Sequence, residues 1–162
     1  MKFETDRLII VPFEKEHIHG FLDFYNQEEV MRFVGNGNYD WSETQLLEKI
    51  VKFSTCDLFT IHAIILKETS DIIGEFSVFD SFNTNKKVEI GYILNSKYWG
   101  SGYAKELIKK AILIIKSEFE VESIIANINQ RNKASIAICE KLDFKCIDNQ
   151  FINNNTRFTY II

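Results

Sequence analysis

The segment with the clearest chemical content runs from Val88 to Leu107 and reads VEIGYILNSKYWGSGYAKEL. Its β-branched first part predicts a strand, which runs through a glycine-containing loop into the most regular helical pattern of the chain. The first turn of a helix has unpartnered N–H groups and the positive end of the helix dipole. Gly100 and Gly102 would let the main chain approach a phosphate closely. The segment therefore predicts an anion site, with a simple corner-turning loop as the alternative.

The charges around this loop agree with an anion site. No acidic residue lies between Asn95 and Lys105, although Asp and Glu are common in the first turn of a helix. Lys97 and Lys105 add positive charge nearby. A site kept for phosphate is expected to lack competing carboxylates.

A second segment, NINQRNKASIAICEKLDF, runs from Asn127 to Phe144. Asn132 is a suitable N-cap for a helix predicted over 133–142. Asn132 and Ser135 lie three residues apart, on one side of that helix, and could hydrogen-bond the amides of a ligand. The alternative is that Asn132 only caps the helix.

The elements that must position these residues are short and closely spaced. Strands are predicted over 7–11, 59–67, 72–79, 88–94, 123–128, 144–148 and 157–161, and helices over 14–26, 42–55, 102–118 and 133–142. Ser42 and Gln45 form a capping box at the start of the second helix. Turn residues fill 35–40, 69–71, 82–86 and 153–155. The order β-α-α-β-β-β-α-β-α-β-β is typical of an α+β or mixed α/β fold.

The composition is that of a globular domain. The 162 residues are 46% hydrophobic and 26% charged, which predicts one domain over 1–162. The formal net charge is −4, so no basic footprint for nucleic acid is present. No signal peptide and no apolar run of membrane-spanning length are recognisable, so the protein is expected in the cytoplasm, away from membranes.

The cysteines and histidines do not suggest a metal site or a disulfide framework. Cys56, Cys139 and Cys146 are odd in number and have no CxxC spacing. His17 and His19 are two residues apart and do not share a helix face. We therefore expect no metal.

Three stretches together resemble the GNAT superfamily of N-acetyltransferases, specifically the RimJ/RimL type named for N-terminal acetylation of ribosomal proteins. WGSGYA, from Trp99 to Ala104, matches the signature Q/R-x-x-G-x-G/A with Trp99 in the first position. NKASIAICEKLDF resembles N-x-x-S-x-x-x-x-E-K-L-G-F, and TDRLII resembles the opening T-x-R-L-x-L. Asp143 replaces the usual glycine, at a position that often needs a positive φ. Cys139 stands where many members carry a tyrosine that protonates the departing thiolate.

The resemblance implies a central, largely antiparallel twisted sheet of about seven strands flanked by helices. It implies acetyl-CoA as the cofactor, coenzyme A as the product, and direct transfer to a primary amine in a ternary complex. The acceptor would be a peptide or protein N-terminal amine, or alternatively a polyamine, amino acid or antibiotic. A module that binds acyl-CoA without catalysis is the alternative from another class. The resemblance implies that the backbone of Tyr92, Ile93 and Leu94 pairs with the pantetheine arm. The pyrophosphate would be held by Gly100, Ser101, Gly102, Tyr103 and Ala104, and the further implied cofactor-binding residues are Trp99, Lys105 and Asn132.

The resemblance also suggests catalytic residues. Glu89 is the first choice for the base that takes the amine proton, and Glu75 is the second; each could instead be an ordinary solvated strand residue. Ser135 and Cys139 compete as the general acid, although a cysteine on an apolar helix face is usually part of the core. A main-chain N–H of the strand at 88–94 would stabilise charge on the thioester oxygen.

The acceptor pocket is expected to come from the more variable segments. Phe33, Tyr39 and Trp41 are candidate wall residues, with plain core as the alternative. The protein would be a monomer, or a homodimer formed through exposed strand edges near the C-terminus.

Overall fold

The computed structural model describes residues 1–53, 60–80, 86–152 and 155–162. Strands are β1 (Phe3–Glu4), β2 (Leu8–Pro12), β3 (Thr60–Leu66), β4 (Ile72–Asp80), β5 (Lys87–Leu94), β6 (Ser123–Asn129), β7 (Lys145–Ile152) and β8 (Asn155–Ile161). Helices are α1 (Ile18–Tyr25), α2 (Glu28–Met31), α3 (Glu43–Phe53), α4 (Tyr103–Glu118) and α5 (Lys133–Lys141). Short 3-10 turns cover Lys15–His17 and Ser96–Tyr98.

The predicted elements are all found, with boundaries that differ by a few residues. The first predicted helix is divided into a 3-10 turn followed by α1, and the capping box at α3 is present, since Ser42 and Gln45 hydrogen-bond each other's backbone N–H. The prediction missed β1 and α2, which have two and four residues and are too short for a periodic pattern. The predicted end of α3 at 54–55, and most of the turns at 82–86 and 153–155, lie outside the described residues.

The strands form one sheet in the order β1-β2-β3-β4-β5-β6-β8-β7. Every neighbouring pair in it is antiparallel except β5 and β6, which are parallel. This confirms the mixed α/β class with a largely antiparallel sheet, and it adds β1 as an eighth strand. Helices cover both faces of the sheet.

The parallel pair β5–β6 separates part of the way along its length. Pairing covers three registers, from Lys87 with Ser123 to Glu89 with Ile125. Beyond Glu89, β5 stays paired with β4 as far as Leu94, and β6 stays paired with β8 as far as Asn129. The two strands therefore diverge at their carboxyl ends, and we call this opening the splay.

The two faces of the sheet have separate cores. On one face, α4 packs against β4 and β5 residues such as Phe76 and Ile90, through an apolar stripe of Ala104, Leu107, Ile108, Ala111, Ile112 and Ile115. On the other face, α1, α2 and α3 pack around Ile61, Ala63 and Ile93. This stripe is the regular helical pattern that the sequence shows after Gly102. Among the described residues, no helix has the length and apolar character that crossing a bilayer requires.

Gly74 of β4 has no room for a side chain. A Cβ there would lie 2.2 Å from the carbonyl oxygen of Ile93, a backbone atom that cannot move without disturbing β5. We expect Gly74→Ala to lower the free energy of unfolding by about 3 kcal/mol, measured by urea denaturation. Gly35→Ala is the control, because no atom lies within 4 Å of its Cβ and its φ of +54° should cost only about 1 kcal/mol. Equal losses in the two variants would contradict a steric origin.

Candidate active site

The loop before α4 has the backbone features of the predicted anion site, but the expected absence of a nearby carboxylate is wrong, since Glu106 lies in the first turn of α4. Helix α4 begins at Tyr103, and its N-cap Gly102 has a φ of 82° and no side-chain capping bond. Gly100 also has a positive φ, of 76°, and a Cβ there would meet nothing within 4 Å. The N–H groups of the first helical turn therefore face a space that no side-chain cap fills, and their positive dipole end favours an anion.

An ion pair holds this loop against the start of the chain. Glu106, an acid in the first turn of α4, accepts hydrogen bonds from the Thr5 hydroxyl and from the backbone and side chain of Arg7. Arg7 also donates to the Ser101 carbonyl at 3.0 Å and lies 4.3 Å from the centroid of the Tyr103 ring. Burial acts to raise the pKa of Glu106, but the hydrogen bonds from Thr5 and Arg7 and the Arg7 charge outweigh it and lower that pKa. The carboxylate is thus neutralised beside the anion site.

Trp99 connects the loop to the end of β5. Its indole Nε1 donates to the Leu94 carbonyl at 2.8 Å, while 46% of the residue stays exposed. The predicted pantetheine contact through the Leu94 carbonyl would therefore have to share that oxygen with the indole. Lys105 is exposed on α4, and Lys97 lies over the ring of Tyr98 at 5.3 Å.

A cleft of ≈ 380 Å³ passes through the splay and reaches both faces of the sheet. The β4–β5 register places Glu75, Ser77 and Phe79 of β4, with Ile93, Gly91 and Glu89 of β5, on the face covered by α1 and α3. We call this the acceptor face. Tyr92 lies on the opposite face, where Ser135 and Cys139 of α5 also line the cleft. Two sets of polar groups therefore approach one opening from opposite sides.

Glu75 is buried on the acceptor face, so the interpretation of Glu75 as a solvated strand residue is wrong. Its Oε2 accepts a hydrogen bond from the Tyr25 hydroxyl at 2.6 Å, and that hydroxyl accepts one from Lys49 at 2.6 Å. Burial raises the pKa of Glu75, although Lys49 and Tyr25 oppose the shift, and burial also lowers the pKa of Lys49. The three side chains form a compact, charge-compensated group.

Glu89 is half-buried at the point where the splay begins. Burial raises the pKa of Glu89, while a hydrogen bond from Asn127 and the charge of Arg157 act in the opposite direction. A carboxylate with a raised pKa is a better proton acceptor than a solvated one. The structure therefore distinguishes Glu89, which faces the splay, from Glu75, whose carboxylate is already engaged by Tyr25.

The opposite face of the cleft carries three weakly acidic side chains. The hydroxyls of Tyr92 and Ser135 are 2.9 Å apart and hydrogen-bonded. Burial raises the pKa of Tyr92 to about 12 and, with Glu140, raises the pKa of the Cys139 thiol to about 12. Both groups therefore stay protonated at neutral pH and can donate hydrogen bonds. Sequence reasoning named Tyr92 for its backbone alone and missed its hydroxyl.

Two polar positions of the second sequence segment behave as expected. The Asn132 side chain accepts a hydrogen bond from the Ser135 N–H at 3.1 Å, so it caps α5, and it also lines the cleft. Asp143 has a φ of 63°, which confirms the need for a positive φ where the family usually has glycine. Capping and cleft lining are therefore compatible at Asn132.

The three aromatic candidates for the acceptor pocket lie in three different places. Phe33 lines the cleft. Tyr39 is 47% exposed and lies in a different depression with Asn26 and Asp40. Trp41 stands behind the cleft wall, with its ring 5.8 Å from that of Tyr25. Of the three residues, Phe33 lies on this cleft, and the acceptor-binding role of Phe33, Tyr39 and Trp41 stays a prediction.

Comparisons with known proteins give the class of protein to which this opened sheet and its cleft belong. The family model described as "Acetyltransferase (GNAT) domain" matches residues 7–145. An uncharacterised N-acetyltransferase from Bacillus licheniformis is 28% identical over 145 residues, which is 87% of this chain and 80% of that protein.

Two solved structures with the same fold have named substrates. A spermidine N-acetyltransferase from Vibrio cholerae, in complex with CoA and spermine, aligns with a TM-score of 0.84 at 16% identity, over 96% of this chain and 95% of its own. RimL, a ribosomal L7/L12 α-N-protein acetyltransferase in complex with coenzyme A, aligns with a TM-score of 0.84 at 14% identity. The alignment covers 100% of this chain and 97% of the RimL chain. At these identities the likeness concerns the fold.

The chain belongs to the GNAT family of N-acetyltransferases. The family prediction is thereby confirmed, and enzymes of this family use acetyl-CoA as the acetyl donor. The RimJ/RimL subfamily stays a prediction.

Proposed function

We propose that this enzyme transfers the acetyl group of acetyl-CoA directly to a primary amine held beside Glu89, and that the acceptor is a peptide or protein N-terminal amine, as in the RimJ/RimL type. The observation that carries the proposal is the cleft through the splay, which brings a carboxylate from one face of the sheet opposite hydroxyl and thiol donors from the other. Two ligands can therefore meet inside the sheet, which is what direct transfer in a ternary complex requires.

The residues present fit acetyl-CoA, which supplies an activated thioester when bound. The room beside Gly100 and the N–H groups of the first turn of α4, which have no side-chain cap, suit a diphosphate. The splay leaves one edge of β5 without a strand partner beyond Glu89, so the main chain of Tyr92 and Ile93 can pair with the pantetheine amides. Trp99, Ser101, Gly102, Tyr103, Ala104, Lys105, Leu94 and Asn132 complete the proposed contacts.

Arg7 would position this loop, because it holds both Ser101 and Glu106. We expect Arg7→Gln to weaken acetyl-CoA binding about tenfold in calorimetry, since one charge-assisted hydrogen bond is lost and Glu106 regains an uncompensated charge near the phosphates. The double variant Arg7→Gln with Glu106→Gln should recover part of the affinity. An unchanged Kd in Arg7→Gln would show that the ion pair does not position the loop.

Glu89 would take the proton from the attacking amine, directly or through a water. The amine is a cation at neutral pH, with an ordinary pKa of about 8 to 10, so removal of its proton is a real part of the barrier. Burial raises the pKa of both carboxyls, but Glu89 lies where the splay begins, whereas Glu75 accepts a hydrogen bond from Tyr25, which Lys49 contacts in turn. Glu75 is therefore the second choice.

The leaving thiolate would be stabilised by hydrogen bonds rather than by full protonation. A thiol has an ordinary pKa of about 8.5. Tyr92 and Cys139 have pKa values of about 12, so neither would give up its proton fully to a thiolate. We expect Ser135→Ala and Cys139→Ala each to lower kcat no more than about tenfold, the value of one hydrogen bond. A loss above a hundredfold in either variant would identify that residue as a true general acid.

The charges on the described cleft lining favour an acceptor with one amine over a polyamine. They are Lys49, Glu75, Glu89 and Arg157, which sum to zero. A polyamine carries several cations along one chain and is best held by several uncompensated carboxylates. In this cleft one carboxylate, Glu75, is already engaged with a lysine through Tyr25. Glu89 remains for a single ammonium group.

The proposal is tested with the purified protein in two steps. Calorimetry should show binding of acetyl-CoA. A free-thiol assay should then show that coenzyme A is released faster with peptides that have a free N-terminal amine than with spermidine. Binding without thiol release on any amine would favour an acyl-CoA-binding module. Preferred turnover of spermidine would overturn the N-terminal acceptor.

A further inference from the structure

Arg157 reaches the acceptor face from the far side of the splay. The β6–β8 register places Arg157 beside Asn129 and Thr159 beside Asn127, so their side chains share one face. The Thr159 hydroxyl donates to Asn127 at 2.8 Å, in agreement with this arrangement. Glu89 pairs with Ile125, two residues before Asn127, and therefore lies on the same face. Glu89 and Arg157 thus face one cleft from two different strands.

The Arg157 guanidinium has one hydrogen bond that fixes its position, but not all of its N–H donors have a partner among the described residues. Its Nη2 donates to the Gly35 carbonyl at 3.1 Å, which connects β8 to the loop between α2 and α3. Its Nε is buried and has no hydrogen-bond acceptor within the described part of the chain. A buried donor without a partner is unusual and costs stability, unless a water or a ligand satisfies it. The Arg157 side chain also lines the cleft, so its guanidinium keeps hydrogen-bonding capacity there that the described part of the chain does not use.

The Glu89 carboxylate and the Arg157 guanidinium carry opposite charges but are not in direct contact. Both residues are described, and no ion pair of 4.0 Å or less joins them, although the Arg157 charge does act on the Glu89 carboxyl. A ligand that fits between them would place an ammonium or amine group at Glu89 and an oxygen at Arg157. Lys49, the other cation of the cleft lining, lies in the group formed with Tyr25 and Glu75, where it donates to the Tyr25 hydroxyl.

We propose that Arg157 is a specificity-determining residue that donates a hydrogen bond to an oxygen next to the reacting amine, so that the acceptor class is an α-amino carbonyl compound. This inference rests on the proposed acetyltransferase function of the same cleft. The shared chemistry is an amine one carbon away from a carbonyl or carboxylate oxygen, which a peptide N-terminus and a free amino acid both offer. Simple alkylamines and polyamines lack this oxygen.

The test compares matched acceptors with the purified enzyme and acetyl-CoA. Alaninamide, phenylalaninamide and serinamide are each paired with the amine that lacks the carbonyl group: ethylamine, phenylethylamine and ethanolamine. The amine of each amide has a pKa about two units below that of its plain partner, so kcat/KM is compared per concentration of neutral amine. On that basis we expect it to be about 10- to 100-fold higher for each amide, the value of a hydrogen bond from a charged donor. The free amino acids and short peptides form a further arm, and their relative rates show which source of the α-amino carbonyl group is preferred.

The variant Arg157→Gln should remove this preference selectively. Its kcat/KM should fall about 10- to 100-fold more with the amides than with the plain amines, while its Kd for acetyl-CoA is unchanged. Loss of the Arg157 charge beside Glu89 affects both kinds of acceptor alike, so the ratio between them isolates the hydrogen bond. Arg157→Lys, which keeps the charge, should recover part of the preference. Lys116→Gln, which removes one charge from the exposed last turn of α4, is the matched control and should behave like the wild type.

Two results would overturn the inference while leaving the proposed function intact. One is a wild-type enzyme that acetylates plain amines or spermidine as well as the amides. The other is an equal loss for amides and amines in Arg157→Gln, which would indicate that Arg157 only supports the loop at Gly35. If Arg157→Gln does not fold, the inference is still tested by the ratio of kcat/KM for amides and plain amines in the wild type and in Arg157→Lys. Binding of acetyl-CoA with no turnover of any acceptor would instead refute the proposed function and the inference together.

Discussion

Replacing Glu89 with glutamine is expected to lower kcat about 10²- to 10⁴-fold, the usual contribution of a positioned general base. The glutamine keeps the shape of the side chain and its place at the apex of the splay, but it cannot accept a proton. Acetyl-CoA binding, measured by calorimetry, should stay close to that of the wild type, because the anion loop lies at the other end of β5. The loss would thus appear in kcat and not in Kd.

The pH dependence of kcat provides an independent check on Glu89. As the proposed base, Glu89 would have to be ionised, and burial raises its pKa above the ordinary value of glutamate. The wild-type rate should therefore fall as the pH is lowered through this raised pKa, and Glu89→Gln should lack that acidic limb. Glu75→Gln makes the same chemical change on the same face and should retain the limb. If Glu89→Gln retained both the rate and the acidic limb, Glu89 would have no role in proton removal.

Placing a carboxylate in the anion loop is the second change with a large expected effect. Gly100→Asp would introduce a negative charge where the diphosphate is proposed to lie. Two like charges about 4 Å apart, at an effective dielectric constant of about 20, repel by about 4 kcal/mol. We expect the Kd of acetyl-CoA, measured by calorimetry, to rise at least a hundredfold.

Gly100→Asn is the matched control for this charge. Asparagine has nearly the same shape as aspartate and tolerates the positive φ of 76°, and the protein itself leaves open space at this Cβ. The difference in Kd between the two variants therefore isolates electrostatics from sterics. Equal affinities for Asp and Asn at this position would contradict the placement of the diphosphate beside Gly100.

The features that sequence reasoning found are local ones. The helix that starts after Gly102, the capping box at Ser42 and the positive φ of Asp143 each depend on residues within a few positions of one another. Short-range patterns of this kind are set by backbone geometry and hydrogen bonding along one segment. The order of strands and helices was predictable for the same reason.

The features that it missed depend on contacts between distant segments. Arg7 meets Glu106 across 99 residues, and Tyr25 meets Glu75 across 50. The burial of Glu75 follows from α1 packing on the sheet, which no pattern in β4 reveals. Arg157 likewise became a candidate only once β8 was seen beside β6. Which charged strand residues are solvated and which line a cleft is decided by topology, and topology is what a single sequence specifies least directly.

The position of β8 in the sheet has a consequence for biosynthesis. The ribosome synthesises β8 after the seven other strands, yet β8 lies between β6 and β7 in the sheet. The backbone hydrogen bonds that β6 and β7 make to β8 can therefore form only after β8 has been synthesised. Until then β6 would have an open edge, and Arg157 would not yet face Glu89. The sheet can thus take its final shape, and the catalytic centre its full complement of charges, only once translation has passed the strand that carries Arg157.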